Sequence, residues 1–189
     1  MDGAALKEWR KAERERLLDL RRVLSAEERA ARDAALIANL ENVLGDVRGK
    51  VVSLYWPIKK EPDLKPVMQR VTDLGGICAL PIVEKYGQPL VFKSWAKGEP
   101  LERGVWNIPV PAKGEVVTPD IAFAPVVGFD RNCYRLGYGG GFFDRTLASL
   151  SPMPFVIGVG YAQAEIPTIH PQPFDIPMSV IVTETEVIK

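Results

Sequence analysis

The sequence predicts an α/β fold with a mainly parallel sheet covered by helices on both faces. Three observations carry that expectation. Short β-branched, apolar runs alternate with stretches whose apolar residues recur at helical spacing. Helix start and stop signals punctuate those stretches. Finally, a cluster of glycines, Gly137, Gly139, Gly140 and Gly141, falls between an apolar run and a helix-like segment. In open α/β sheets, such strand-to-helix turns lie beyond the carboxyl ends of the strands, where ligands bind.

Ala4 to Leu24 is dense in arginine, lysine and glutamate, with Leu6, Trp9, Leu17, Leu20 and Leu24 spaced mainly for one face of a helix. Ser25-Ala26-Glu27-Glu28 reads as a capping box, so a second helix should start there. It should run to about Val43, with Ala30, Ala34, Ile37 and Leu40 inward, and end at Gly45. Lys50 to Trp56 has the content of a buried strand. Leu64, Val67, Met68, Val71 and Leu74 mark a third helix, with Pro66 in its first turn and Gly75-Gly76 closing it. Ile77 to Ile82 and Leu90 to Trp95 are further strands. Glu99 to Thr118, rich in proline and glycine, reads as a loop with short extended pieces. Ile121 to Val127 is the strand expected to feed the glycine loop, whose helix begins at Phe142. Phe155 to Gly160 and Ser179 to Thr185 complete the strands.

Composition bounds the function classes. The 24 basic and 24 acidic residues cancel, leaving no global field to draw the chain onto nucleic acid or an anionic membrane. Hydrophobic residues make up 47% of the chain, enough for a substantial core, yet no run approaches a membrane span. Cys78 and Cys133 give no disulfide framework, which suits a reducing cytoplasm. The single histidine, His170, excludes a histidine-rich metal site. The expectation is one soluble, cytoplasmic domain spanning residues 1–189.

The chemistry concentrates at Arg135-Leu136-Gly137-Tyr138-Gly139-Gly140-Gly141-Phe142-Phe143-Asp144-Arg145. Glycine adds no packing and costs backbone entropy, so four in five positions point to close approach of the backbone to a ligand. A following helix would aim its positive end at an anion. Arg135 and Arg145 add fixed positive charge, and Asp144 offers a carboxylate to magnesium. Together they read as a site for a polyphosphate with its metal. The glycines alone fit a tight structural turn equally well, since they match neither the Walker pattern nor the dinucleotide fingerprint.

The complete string resembles the signature of the 5-formyltetrahydrofolate cyclo-ligases, also called methenyltetrahydrofolate synthetases. Leu54-Tyr55-Trp56-Pro57-Ile58-Lys59-Lys60-Glu61 resembles that family's second motif, and Phe174-Asp175-Ile176-Pro177 with Val182-Thr183-Glu184 resembles its closing segment. The resemblance implies a Rossmann-like three-layer α/β/α architecture of the sugar-phosphate isomerase and CoA-transferase kind. It also implies ATP-dependent conversion of 5-formyltetrahydrofolate to 5,10-methenyltetrahydrofolate, with ADP and phosphate released and magnesium as cofactor.

By the same resemblance, Arg135, Leu136, Gly137, Tyr138, Gly139, Gly140, Gly141, Phe142 and Phe143 bind ATP. Arg10 and Arg14 join them from the first helix, counting back from Ser25 without gaps; Lys7 and Lys11 serve if the register differs. Trp56, Glu61, Tyr138, Gly139, Gly140, Gly141 and Phe142 bind the folate. Arg145 and Tyr138 take catalytic roles, and Asp144 and Asp175 hold the metal. Read as residues alone, Glu61 also fits a solvated loop, Trp56 a core position at a strand end, and Tyr138 a cover for the loop. Phe142-Phe143 stands where the family usually has two tyrosines, and Phe174 where it often has histidine. These departures support a second reading, a nucleotide- or folate-binding regulator without turnover. The expected partners are ATP and a reduced folate, with no nucleic acid, no membrane and a monomeric chain.

Overall fold

The computed structural model describes residues 1–189. Helices α1 (Gly3–Arg22) and α2 (Ala26–Leu44) precede strand β1 (Val51–Ser53) and helix α3 (Lys65–Asp73). Next come β2 (Ile77–Ile82), β3 (Val91–Ser94), β4 (Leu101–Arg103), β5 (Pro109–Pro111), β6 (Val116–Val117) and β7 (Ile121–Pro125). A small hairpin, β8 (Gly128–Phe129) with β9 (Arg135–Leu136), leads to helix α4 (Phe142–Ser149). Strands β10 (Phe155–Val159), β11 (Val180–Val182) and β12 (Val187–Ile188) finish the chain.

One 8-stranded sheet runs in the order β12-β11-β10-β7-β1-β2-β3-β6. Its centre, β11-β10-β7-β1-β2, is parallel. The edges are antiparallel. Alternation along the strands divides the core into two layers. Val52, Phe123, Ile157 and Val182 pack with Leu36, Leu40 and Leu44 of α2 and Val67, Met68 and Val71 of α3. Ala124, Val156 and Ile181 pack on the other side with Phe143 and Leu147 of α4 and with Phe129 and Cys133 of the hairpin. The expected three-layer architecture is thus present. Each fully buried Leu or Val contributes about 1.5–3 kcal/mol, so these layers dominate the stability of the frame that carries the rim.

Local signals account for the boundaries. Ser25 caps α2 in a reciprocal capping box with Glu28, and Gly45 ends that helix at φ 64°. A proline opens α3, and Gly75 follows it at φ 83°. Two expectations need correction. On α2, Ala30 and Ala34 are exposed, and the inward stripe is Leu36, Leu40 and Leu44. The helix is rotated because Asp33 accepts a hydrogen bond from the Tyr161 hydroxyl at 2.6 Å and Arg32 pairs with Glu184, so polar residues occupy its sheet-facing N-terminal half. Nor does strand β7 feed the glycine loop directly. The β8–β9 hairpin intervenes, organised by Asp130, which is 1% exposed and accepts hydrogen bonds from the amides of Asn132, Tyr134 and Ile169. Asp130 is hard to see in advance because its third partner lies far along the chain.

Candidate active site at the glycine loop

Helix α1 supplies the cationic wall. Its inward stripe is Leu6, Arg10, Arg14, Leu17 and Arg21, at helical spacing, while Lys7, Lys11 and Leu20 face solvent. Leu17 packs against Val127, Leu136, Ile166 and Ile169, which fixes the helix over the hairpin. Arg10 grips Asp175 with both terminal nitrogens at 2.6 and 3.3 Å and donates to the carbonyls of Ile169 and His170. Arg14 donates to the Gly137 carbonyl at 2.7 Å. Burial, then the neighbouring Arg10, hold the Arg14 guanidinium below its ordinary value. An anion at this wall would relieve both effects.

The turn after β1 holds Glu61. Lys59 and Lys60 lie in the left-handed region at φ 48° and 57°, and the Glu61 amide closes the turn onto the Ile58 carbonyl. Left-handed non-glycine residues cost about 1–3 kcal/mol each and persist only when surrounding contacts over-determine them. Here they do. Lys60 Nζ donates to the Arg22 and Leu24 carbonyls, Arg21 Nε donates to the Lys59 carbonyl, and the Ile58 amide donates to Glu61 Oε2. Glu61 is 2% exposed, and burial raises its carboxyl above the ordinary range against the opposing pull of Ile58, Tyr138, Arg21 and Lys59. It is no solvated loop residue.

The glycine loop meets this turn. Tyr138 donates its hydroxyl hydrogen to Glu61 Oε1 at 2.7 Å and accepts from Arg21 at 2.8 Å. Two stretches that follow different strands therefore converge on one rim. Gly139 and Gly141 adopt φ 99° and 67°, open to glycine and strained for other residues. No amide from Gly137 to Asp144 donates to an acceptor within the protein, and α4 has no side-chain cap. A run of unused N–H groups at a helix start is the arrangement that binds phosphate. Arg145 lies 5.7 Å over the Phe142 ring, and its Nη1 is buried without a partner. Arg135 is buried over the Phe143 ring at 5.0 Å with its Nε unpartnered, and burial lowers its basicity. Both arginines hold donors in reserve.

The remaining expected residues divide. The side chains of Leu136 and Phe143 are buried in the core; the Leu136 carbonyl is taken by the Val127 amide, whereas the Phe143 amide is unbonded. Trp56 packs edge-on to Trp95 at 5.9 Å, with Lys65 Nζ 5.2 Å from its ring, in the layer beneath α2 and α3. It is only half-buried, so one part of the ring packs on the core while the rest stays open to a ligand. Phe142 instead joins Tyr86 and Trp106, three rings in edge contact at 5.8 to 6.3 Å, with Tyr86 and Trp106 largely exposed. Tyr86 and Trp106 escaped the sequence reading because both lie in turn-rich segments with no periodicity. Arg21 escaped it because one more arginine on a charged helix carries no local mark.

The two candidate metal ligands differ. Asp144 accepts from the Ile176 amide through Oδ1, and its Oδ2 is 3.6 Å from Arg135. That oxygen suits a magnesium ion whose other ligands are phosphate and water. Asp175 has Arg10 on both oxygens and the Gln172 amide on Oδ2. It could ligate a metal only by releasing Arg10.

A family model described as the 5-formyltetrahydrofolate cyclo-ligase family matches residues 6–184. Among curated proteins, the chain is 27% identical over 146 residues to the 5-formyltetrahydrofolate cyclo-ligase of Haemophilus influenzae, covering 72% of this chain and 77% of that one. It is 30% identical over 146 residues to that of Mycolicibacterium smegmatis, covering 72% and 75%. Among solved structures, Aquifex aeolicus 5,10-methenyltetrahydrofolate synthetase superimposes with a TM-score of 0.82 at 31% identity, over 95% of this chain and 92% of that one. The Mycoplasma pneumoniae 5,10-methenyltetrahydrofolate synthetase shares the fold, with a TM-score of 0.75 at 22% identity over 93% and 98%. With its glycine loop, buried glutamate and three-layer frame accounted for, this chain belongs to the 5-formyltetrahydrofolate cyclo-ligase family.

Proposed function

We propose that the chain couples ATP to the conversion of 5-formyltetrahydrofolate into 5,10-methenyltetrahydrofolate, with release of ADP and phosphate. The observation that carries this reading is the run of unbonded amides from Gly137 to Asp144 lying one hydrogen bond, through Tyr138, from the buried carboxylate of Glu61. In this reading those amides, with Arg14, Arg135 and Arg145, clasp the triphosphate, and Arg10 joins them on leaving Asp175. Glu61 accepts hydrogen bonds from the amino-substituted pterin. The exposed rings of Tyr86, Trp106 and Phe142 offer a face to the flat part of the folate.

The formyl oxygen attacks the terminal phosphorus, and the bond to ADP breaks. The second folate nitrogen then adds to the activated formyl carbon and gives up its proton, and phosphate departs with the former formyl oxygen, taking that proton directly or through water. No protein nucleophile is required, so the residues work by positioning and by stabilising phosphoryl charge. Asp144 would hold a magnesium ion, which would supply further charge neutralisation for the phosphates. Asp175 holds Arg10 at the wall until the triphosphate draws it away. The continuous sheet supports a single domain over residues 1–189, and this reading has it act as a monomer in the cytoplasm. No helix is long and apolar enough to cross a membrane.

The test is absorbance of the methenyl product with ATP, magnesium and 5-formyltetrahydrofolate as mono- and polyglutamate. Product formation dependent on both substrates is expected. Absence of product with every folate form overturns the activity.

A further inference from the structure

Arg21 is 6% exposed and has no carboxylate partner within salt-bridge distance. A buried guanidinium held only by neutral acceptors is costly unless those contacts serve a purpose. Its three nitrogens reach three separate segments. Nε donates to the Lys59 carbonyl at 3.0 Å, in the turn that carries Glu61. Nη1 lies 3.5 Å from the Val126 carbonyl, just beyond β7. Nη2 donates to the Tyr138 hydroxyl at 2.8 Å, in the glycine loop. These are the segments that build the rim.

We infer that Arg21 is a positioning residue for the folate site: it fixes the Tyr138 hydroxyl against Glu61 and so sets the place and the hydrogen bonding of that carboxylate. The inference rests on the reading of Glu61 as the folate-binding carboxylate. A phenol that accepts from Arg21 must point its own hydrogen elsewhere, and Glu61 Oε1 is the acceptor at hand. The planar guanidinium spans three acceptors at fixed angles, which the point charge of lysine cannot reproduce. The groups facing Glu61 are Arg21 from α1, Lys59 in its own turn, Tyr138 from the loop and the phenol of Tyr55. Arg21 and Lys59 favour the carboxylate, and burial opposes it.

The experiment compares wild type with Arg21→Met, Arg21→Lys, Tyr138→Phe and Arg21→Met/Tyr138→Phe. Carbon-13 labelling of glutamate gives the Glu61 titration midpoint without ligand, and steady-state kinetics give KM for folate and for ATP. Arg21→Met and Tyr138→Phe should each move the Glu61 midpoint to higher pH. Each should raise the folate KM about ten-fold, the scale of one charge-assisted hydrogen bond, with the ATP KM changed less than about three-fold. Arg21→Lys should restore only part of this, and the double variant should lose less than the sum of the single changes. If Arg21→Met does not fold, Arg21→Lys and Tyr138→Phe carry the same comparison. An unmoved Glu61 midpoint, or equal losses for ATP and folate, overturns the proposal. A shifted midpoint in a protein that never forms product leaves Arg21 in this role and overturns the activity instead.

Discussion

The two halves of the rim solve opposite problems with the same backbone geometry. From Gly137 to Asp144 the chain reaches left-handed conformations through glycine, and its amides bond to nothing in the protein. From Ile58 to Glu61 it reaches them through two lysines, and the turn is tied down by Arg21, by Lys60's own ammonium and by the Glu61 carboxylate. Glycine stands where the backbone is exposed and its N–H groups stay unbonded, as the proposed phosphate site requires. Strained lysines are tolerated where tertiary contacts hold a single side chain in place. Free donors on one side face a buried acceptor with one bond on each oxygen on the other, and Tyr138 joins them.

The largest break should come from Gly139→Val. A β-branched residue at φ 99° is strained, so the loop must shift and its amides lose their common direction. We expect kcat/KM for ATP to fall about a hundred-fold, as misplaced reactants do, with thermal stability nearly unchanged because the loop tip is exposed. Unaltered ATP kinetics would remove the glycine argument. On the opposite side, Glu61→Ala leaves the Tyr138 hydroxyl and the Ile58 amide without acceptors. It should cost about 1–3 kcal/mol in urea unfolding. The folate KM should rise about ten-fold while the ATP KM holds, again the scale of a charge-assisted bond. Equal effects on both substrates would merge two sites that the geometry keeps apart.

A pH series sharpens the contrast. Burial raises the Glu61 carboxyl above its ordinary 4.5, so the folded chain holds that proton longer than the unfolded one. The stability it contributes is fully present below 4.5 and declines as pH rises through the folded value. Glu61→Gln should flatten that decline in urea midpoints measured across pH; matching slopes in both proteins would refute the burial account. The smallest effect is Lys59→Gly. Relief of a left-handed lysine favours glycine by about 1 kcal/mol, partly offset by loss of the ammonium 5.2 Å from the Tyr138 ring. A slightly higher urea midpoint is expected, and a clear drop would mean the turn carries no strain.

Much of this was legible in the chain order of residues. The capping box at Ser25 and Glu28, the glycines closing α2 and α3, and the β-branched runs act within a few residues, so each element declares itself locally. The α2 face was misjudged because alanine fits either side of a helix, and the choice fell to Asp33 and Arg32 meeting Tyr161 and Glu184 more than a hundred residues away. The β8–β9 hairpin was missed because its strands have only two residues each, too few to show a period.

By itself the sequence determined the α/β class, the succession of helices and central strands, and the glycine loop with its flanking charges, all set by short-range steric and hydrogen-bonding preferences. Tertiary structure alone decided which arginines of α1 turn inward, that Asp175 holds Arg10, that Trp56 packs edge-on to Trp95, and that Tyr138 rests on Glu61 beneath Arg21. Those outcomes depend on charges that are cheap in water and expensive once buried. Only a folded chain that brings distant partners within hydrogen-bond reach can settle where each one goes.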